Sequence, residues 1–144
     1  MTTYGDPLEF EVSIPPSVNN LYINRTWKDR KTGKHVTRRI LTQEAKTYKE
    51  VVSWEVTAAA MRAKWEYQGH RISFMLDLIF RDHRRRDITN CIKIIEDAVA
   101  EALGFDDRVV DYFLVRRMGV DKHHPVARVS IQEVSGPYQP YKPE

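Results

Sequence analysis

Cysteine is nearly absent from this chain. Cys91 is the only one among 144 residues, so no internal disulfide can brace the fold. Five scattered histidines without a cysteine cluster cannot form a zinc finger or a zinc ribbon. Long apolar runs are missing too, since none approaches the roughly 20 residues that a membrane helix needs. The opening MTTYGDPLEF lacks the basic-then-apolar order of a secretory signal, so neither membrane spanning nor export is expected. Nor does one sign of charge dominate: 23 Lys+Arg stand against 20 Asp+Glu, and the net charge of +3 permits nucleic-acid binding without requiring it. Disulfide-stapled secreted modules, zinc modules and membrane proteins are thereby set aside. The composition that remains, 42% hydrophobic and 30% charged, predicts one packed domain held by its core in a reducing cytoplasm.

The weak net charge conceals a strong local one. Between Tyr22 and Arg39 lie seven basic residues, Arg25, Lys28, Arg30, Lys31, Lys34, Arg38 and Arg39, against the single acid Asp29, with Trp27 set among them. The rest of the chain is therefore net acidic. Further cations gather at Arg84, Arg85 and Arg86, at Arg116 and Arg117, and at Lys122 beside His123 and His124.

Hydrophobic periodicity sets the frame for these charges. Leu8 to Ile14 alternates with the period of two that lays one strand face on a core, and Pro15 and Pro16 stop it. The basic segment turns at the Lys-Thr-Gly-Lys of residues 31–34, which predicts a hairpin with a mobile tip. Thr42 is placed to cap a helix whose predicted core stripe is Val51, Trp54, Ala58, Met61 and Trp65. Ile72 to Phe80 predicts a central strand that runs into the charged junction from Arg81 to Asp87. Ile88, Ile92, Ile95, Val99 and Ala102 predict a second helix, ended by Gly104. Two more strands are expected, from Phe113 to Met118 and from Val126 to Val134, the latter with Ala127, Val129, Ile131 and Glu133 on one face. The expected fold is α/β of the α+β type, a single domain over residues 1–134 with a mixed sheet and two main helices. Residues 135–144, rich in proline, are expected to form a flexible tail.

The second helix carries Thr89, Asn90, Lys93, Glu96 and Asp97 on the face opposite its isoleucines. Such a face is commonly just solvated, and Lys93 with Asp97 is an ordinary i,i+4 pair. Its surroundings are less ordinary. Asp87 precedes the helix, where a carboxylate accepts backbone N–H bonds and meets the positive end of the dipole. Asp106 and Asp107 follow Gly104 and Phe105; adjacent aspartates there usually form turns, yet together with Asp87 they are also the oxygen donors a hard divalent cation takes. Arg84 to Arg86 suit bidentate contacts to phosphate, or equally a solvated loop or a guard on a sheet edge. His83, close to this junction, could touch a substrate. His123 and His124 have no third ligand at metal spacing and read as surface residues. Cys91 has no partnered histidine, so a nucleophilic role is not expected.

Three stretches in this order resemble the RusA family of Holliday-junction resolvases. They are the opening strand with Pro15-Pro16-Ser17-Val18-Asn19-Asn20-Leu21-Tyr22, the block Arg85-Arg86-Asp87-Ile88-Thr89-Asn90 with Lys93 and Asp97-Ala98 downstream, and Gly104 leading to Asp106-Asp107. The likeness spans roughly residues 8–134, and its middle block is the specific part. The resemblance implies a Mg²⁺-dependent endodeoxyribonuclease, with Mn²⁺ as the alternative ion, cutting four-way junctions or other branched DNA in recombination and repair. It further implies a homodimer and a bacterial, prophage or phage origin. Carried over residue by residue, it makes Asp87, Asn90, Lys93 and Asp107 the catalytic set, and Asp87 and Asp107 the metal ligands, with Asp106 as the substitute for Asp107. The arm with Arg25, Lys28, Arg30, Lys31, Lys34, Arg38 and Arg39, and the triplet Arg84, Arg85 and Arg86, would grip DNA backbones, with Trp27 or Tyr22 stacking on an opened base.

One position departs from the family's pattern. Thr89 stands where a second aspartate is usual, and a hydroxyl brings no negative charge. Either Glu96 substitutes from about 10.5 Å further along the helix, or Thr89 binds the ion through water. The alternatives to the resolvase are therefore a catalytically weak or inactive protein that binds branched DNA, and a nuclease or binder of single strands or RNA, which the aromatic residues of the basic arm would suit.

Overall fold

The computed structural model describes residues 2–15, 21–84 and 88–134. Asp87, Arg85, Arg86 and the expected tail at residues 135–144 lie outside the described residues. The elements in chain order are β1 (Thr3–Ser13), β2 (Tyr22–Lys28), β3 (His35–Leu41), α1 (Gln43–Ala63), β4 (Arg71–Phe80), α2 (Ile88–Leu103), β5 (Val110–Val120) and β6 (Val126–Val134). A single 3₁₀ turn, Asp107–Val109, separates α2 from β5. Together they form one mixed α+β domain.

Four strands make the main sheet in the order β1-β6-β4-β5, while β2 and β3 pair separately as an antiparallel hairpin. β4 and β5 are parallel, and β6 runs antiparallel to both β1 and β4. A parallel pair cannot be joined by a tight turn, so the chain must cross over, and α2 is that crossover. β4 alternates strictly. Ile72, Phe74, Leu76, Leu78 and Phe80 are buried toward the helices, while Ser73, Met75, Asp77 and Ile79 take the other face. On β6 Ala127, Val129, Ile131 and Glu133 are buried as the sequence alternation predicts, and Val126 and Val134 at the two ends of the strand are buried as well. β1 starts five residues ahead of the expected strand, and its register against β6 shifts between Tyr4 and Leu8, where Gly5 adopts φ +67°.

α2 runs where its sequence signal places it, but of the predicted stripe only Ile95 and Val99 are buried, while Ile88, Ile92 and Ala102 are half-buried at its edge. Its apolar residues sit on Ile94, Ile95, Ala98 and Val99, with Cys91 buried among them. The helix ends where Gly104 turns left-handed at φ +81°, and the N–H groups of Gly104 and Phe105 both bond to the Ala100 carbonyl, at 2.9 and 3.0 Å. Phe105 then plugs into the core beside Tyr67.

α1 departs from expectation. Thr42 caps it as predicted, accepting from the Ala45 N–H at 3.2 Å. Its buried face, however, is Ala45, Tyr48, Val52, Val56 and Ala59, not the expected stripe: Trp54 is 80% exposed and Met61 74%. Both stripes have helical spacing. The smaller side chains are the ones turned inward, against α2 and β1, where they let the backbones approach, while Tyr48 reaches past them to donate its hydroxyl to the Ser13 carbonyl at 2.6 Å. Trp65, past the helix end, packs half-buried on the core.

The α1–β4 connection is pinned by a buried acid. Glu133, 4% exposed, accepts from the Gln68 and His70 N–H groups and meets the His70 ring at 3.2 Å, with Tyr4 stacked on that ring.

A pair of substitutions tests which helix faces carry stability. Ile95→Ala removes a fully buried side chain and should cost about 2–5 kcal/mol, whereas Trp54→Ala should stay within about 0.5 kcal/mol. Urea unfolding with unchanged m-values checks both, and a large loss at Trp54 would contradict the observed face.

Candidate active site and nucleic-acid interface

α2 turns Thr89, Asn90, Lys93, Glu96 and Asp97 away from the core, because its apolar positions are taken up by the sheet and α1. Asn90, Lys93 and Asp97 follow one another at three- and four-residue steps and so lie along one face. At the exit of α2, Asp106 caps the 3₁₀ turn. Its Oδ1 accepts from the Arg108 N–H at 3.0 Å and its Oδ2 meets the Arg108 guanidinium at 3.2 Å. Those bonds, the backbone one foremost, hold the Asp106 carboxyl down to about 2. Asp107, exposed beside it, is pushed the other way, first by its hydrogen bond to Asp106 and then by the negative charges of Asp106 and Asp97.

Glu96 is also raised. Burial is the first cause, followed by repulsion from Asp97 and Asp107, against which Lys93 pulls down. The carboxylates of the middle of α2 and of the turn beyond it therefore feel one another, with Lys93 beside them. Thr89, in the first turn, is separated from the end of α2 by about 21 Å of helix at 1.5 Å per residue, so Asp106 and Asp107 emerge at the opposite end of the helix from Thr89. Among the described residues, no three acidic, histidine or cysteine side chains are grouped so as to hold a metal ion. A hard divalent ion needs only one or two carboxylates alongside water and substrate phosphate, and Glu96 and Asp107 feel one another's charge.

The basic arm stands against this acidic face. In the hairpin, Tyr22 pairs with Leu41, Asn24 with Arg39, Arg25 with Arg38 and Trp27 with Val36. Its two faces differ. One carries Tyr22, Thr26, Thr37 and Arg39, with the Thr26 and Thr37 hydroxyls 2.8 Å apart. Tyr22 is raised by burial and then by the charge of Asp97, which places this face near the middle of α2. The other face presents Ile23, Trp27 and Arg38 outward, Trp27 being 41% exposed with the Arg38 guanidinium 6.0 Å from its ring centroid. Trp27 is therefore available for base stacking, while the Tyr22 ring is covered by Arg39 at 4.2 Å. The hairpin tip is closed by Asp29, whose carbonyl accepts from Gly33 and whose Oδ1 accepts from Lys31, both at 2.8 Å. Arg25, Lys28, Arg30, Lys31, Lys34 and Arg38 are all exposed. At the junction after β4, Arg84 is exposed and pairs with Asp82.

Other sequence candidates are placed elsewhere. His123 and His124 donate their backbone N–H groups to Asp121 in the β5–β6 turn, and His124 meets Glu11 at 2.9 Å. Cys91 is fully buried. Asp97, which the sequence places in the family block and beside Lys93, was not among the expected site residues. Its spacing to Lys93 marks an ordinary helical pair, and only the return of the chain to Asp107 gives it company.

A mixed sheet with a crossover helix bearing acids and a lysine, flanked by a cationic hairpin with an exposed tryptophan, presents the charge and the aromatic ring that a nucleic acid can engage. The sequence pattern of the family described as endodeoxyribonuclease RusA matches residues 22–132 of the 144. The chain belongs to that family, and membership implies a Holliday-junction endonuclease. No curated protein matches the chain. None of its helices is long and apolar enough to cross a membrane, among the described residues.

The repulsion at Glu96 yields a test with a fixed sign. A carboxyl raised in the folded state penalises folding once it ionises, so the penalty is present above the ordinary carboxylate range and absent below it. Glu96→Gln should raise Tm by about 1–3 °C at pH 7 and leave it unchanged near pH 3, by calorimetry. Millimolar Mg²⁺ should narrow the difference. A lower Tm at pH 7 would show Glu96 to be a net stabilising partner.

Proposed function

We propose that this protein is a divalent-cation-dependent endonuclease that nicks branched DNA at four-way junctions, working as a homodimer. What supports this reading is membership of the endodeoxyribonuclease RusA family over residues 22–132, together with the exposed Lys93 face of α2 and the basic hairpin bonded to it through Arg39 and Asn90. Asp107 with Asp97 would hold the ion toward the far end of α2, while Asp87, which the family pattern also assigns to the metal, stands in sequence before the opposite end, where Thr89 and Asn90 lie. Asp106 is the weaker candidate because its oxygens serve Arg108. Mg²⁺ suits these hard oxygen donors, with Mn²⁺ as the substitute. When bound, the ion supplies polarisation of the scissile phosphate and activation of water.

The chain's own groups do the rest. Lys93 places a positive charge where negative charge develops on the phosphate or the leaving oxygen. Asn90 orients the reacting strand. Arg25, Lys28, Arg30, Lys31, Lys34 and Arg38 of the hairpin and Arg84, with Arg85 and Arg86, hold phosphates on either side, and Trp27 offers a ring to an unstacked base. Two strands must be cut at a junction of approximate two-fold symmetry, which a C2 pair of single sites matches.

Thr89 favours a second reading, a protein that binds junctions without cutting them, because this exposed hydroxyl brings no charge to the first turn of α2. Labelled four-way junctions incubated with protein and Mg²⁺ separate the two. Paired nicks that disappear in EDTA support the endonuclease. Retained binding without nicks, with cutting created by Thr89→Asp, supports the second reading. Lys93→Ala should reduce cutting at least a hundredfold while changing junction affinity by less than about threefold. Equal affinity for junction, duplex and single strand at fixed salt would remove the junction from the proposal.

A further inference from the structure

Arg39 differs from the other cations of the hairpin in where its charge points. Its guanidinium lies over the Tyr22 ring at 4.2 Å and donates from Nη2 to Asn90 Oδ1 at 2.7 Å. Tyr22 and Arg39 are diagonal neighbours across the hairpin, since Tyr22 pairs with Leu41 and Asn24 with Arg39. A long side chain spans that diagonal readily. The base of the hairpin is fixed separately. Leu21 is buried, and its carbonyl accepts the N–H of Thr42, the cap of α1, at 3.0 Å. The Arg39–Asn90 bond then spans 51 residues of sequence and ties the hairpin to the first turn of α2.

Guanidinium chemistry gives this bond a second consequence. Arginine carries five donors and no acceptor, so the Asn90 atom facing it must be the amide oxygen. The Asn90 NH₂ group is thereby turned away from Arg39, and the amide cannot flip without losing a charge-assisted hydrogen bond. Arg38, one residue back, sits on the opposite face of the hairpin, close to Trp27.

We propose that Arg39 is a positioning residue and not a phosphate-gripping one: stacked on Tyr22, it docks the hairpin on α2 and fixes the orientation of the Asn90 amide. This inference rests on the reading of the Asn90–Lys93 face as the place where a DNA strand is cut. A phosphate contact and a positioning contact differ in their salt dependence, because only the first releases counterions from DNA.

Arg39→Ala, Arg39→Lys and Arg38→Ala, compared with the unaltered protein, provide the test. Junction affinity is measured across a salt series, and cutting is measured in a single turnover at saturating protein. Arg38→Ala should lower the slope of log K against log salt by about 0.9, the loss of one phosphate contact. Arg39→Ala should leave that slope unchanged while cutting at saturation falls at least tenfold, and Arg39→Lys, which keeps a donor, should recover part of the rate. A slope loss of about 0.9 in Arg39→Ala overturns the proposal whatever the cutting, and so does an unchanged slope with undiminished cutting.

A second readout does not depend on catalysis. In ¹⁵N-labelled protein, Arg39→Ala should shift the Asn90 side-chain amide signals and Arg38→Ala should not; unmoved signals in Arg39→Ala overturn the proposal. If Arg39→Ala does not fold, Arg39→Gln carries the same comparisons. A wild-type protein that neither binds nor cuts junctions overturns the functional reading instead, and leaves the amide experiment to decide the role of Arg39.

Discussion

β4 and β5 lie side by side and parallel, and a chain can achieve that only by travelling back along the sheet between them. The return path is α2, and nearly everything of functional interest follows from it. The buried side chains of β4 give α2 an apolar bed, so Cys91, Ile94, Ile95, Ala98 and Val99 must face the sheet. The opposite face is thereby committed to Asn90, Lys93 and Asp97. The crossover also requires a sharp exit, which Gly104 supplies with a left-handed backbone, and the turn it opens delivers Asp107 toward the mid-helix acids. Acid placement here is a by-product of topology: the same reversal that lets β5 join β4 brings carboxylates together.

The electrostatic design is a separation of charge. The hairpin concentrates cations on an element that shares no strand pairing with the main sheet, while the helix it leans on holds acids in mutual repulsion. A polyanion approaching this surface meets attraction at the arm and repulsion at the helix. A divalent ion at the helix reverses that local repulsion, which couples substrate and metal through charge alone. Tyr22 and Arg39 lie at the seam between the two regions, where the Asp97 field and the guanidinium act on the same phenol in opposite directions.

Parts of this arrangement were legible in the sequence for physical reasons. α2 combined a strong apolar stripe with a glycine stop, and β6 alternated through its whole length, so each could be placed from local pattern alone. α1 could not. Its two helical stripes differ little in hydrophobicity, and the choice between them fell to small side chains that allow close packing, a property of the partner surface and not of the segment. The hairpin was signalled by its turn and its charge. Which of its faces would look toward α2 depended on docking through Leu21, Thr42 and Arg39, contacts that join distant parts of the chain and leave no local trace. Asp97 was visible as a partner for Lys93, but its proximity to Asp107 exists only after the crossover closes. Asp87 lies outside the described residues, so its place in the site rests on the family pattern.

The strand order also constrains how the molecule is made. β6 is inserted between β4 and β1, and β1, formed from the earliest described strand, has no other partner in the sheet. As the polypeptide leaves the ribosome, β1 must wait for more than a hundred residues before its hydrogen bonds can be satisfied. Contacts of such sequence separation slow folding and leave a strand edge uncovered in the meantime. Nascent chains of this protein are thus most vulnerable to aggregation just before β6 emerges, a window that chaperones or the pace of translation would govern.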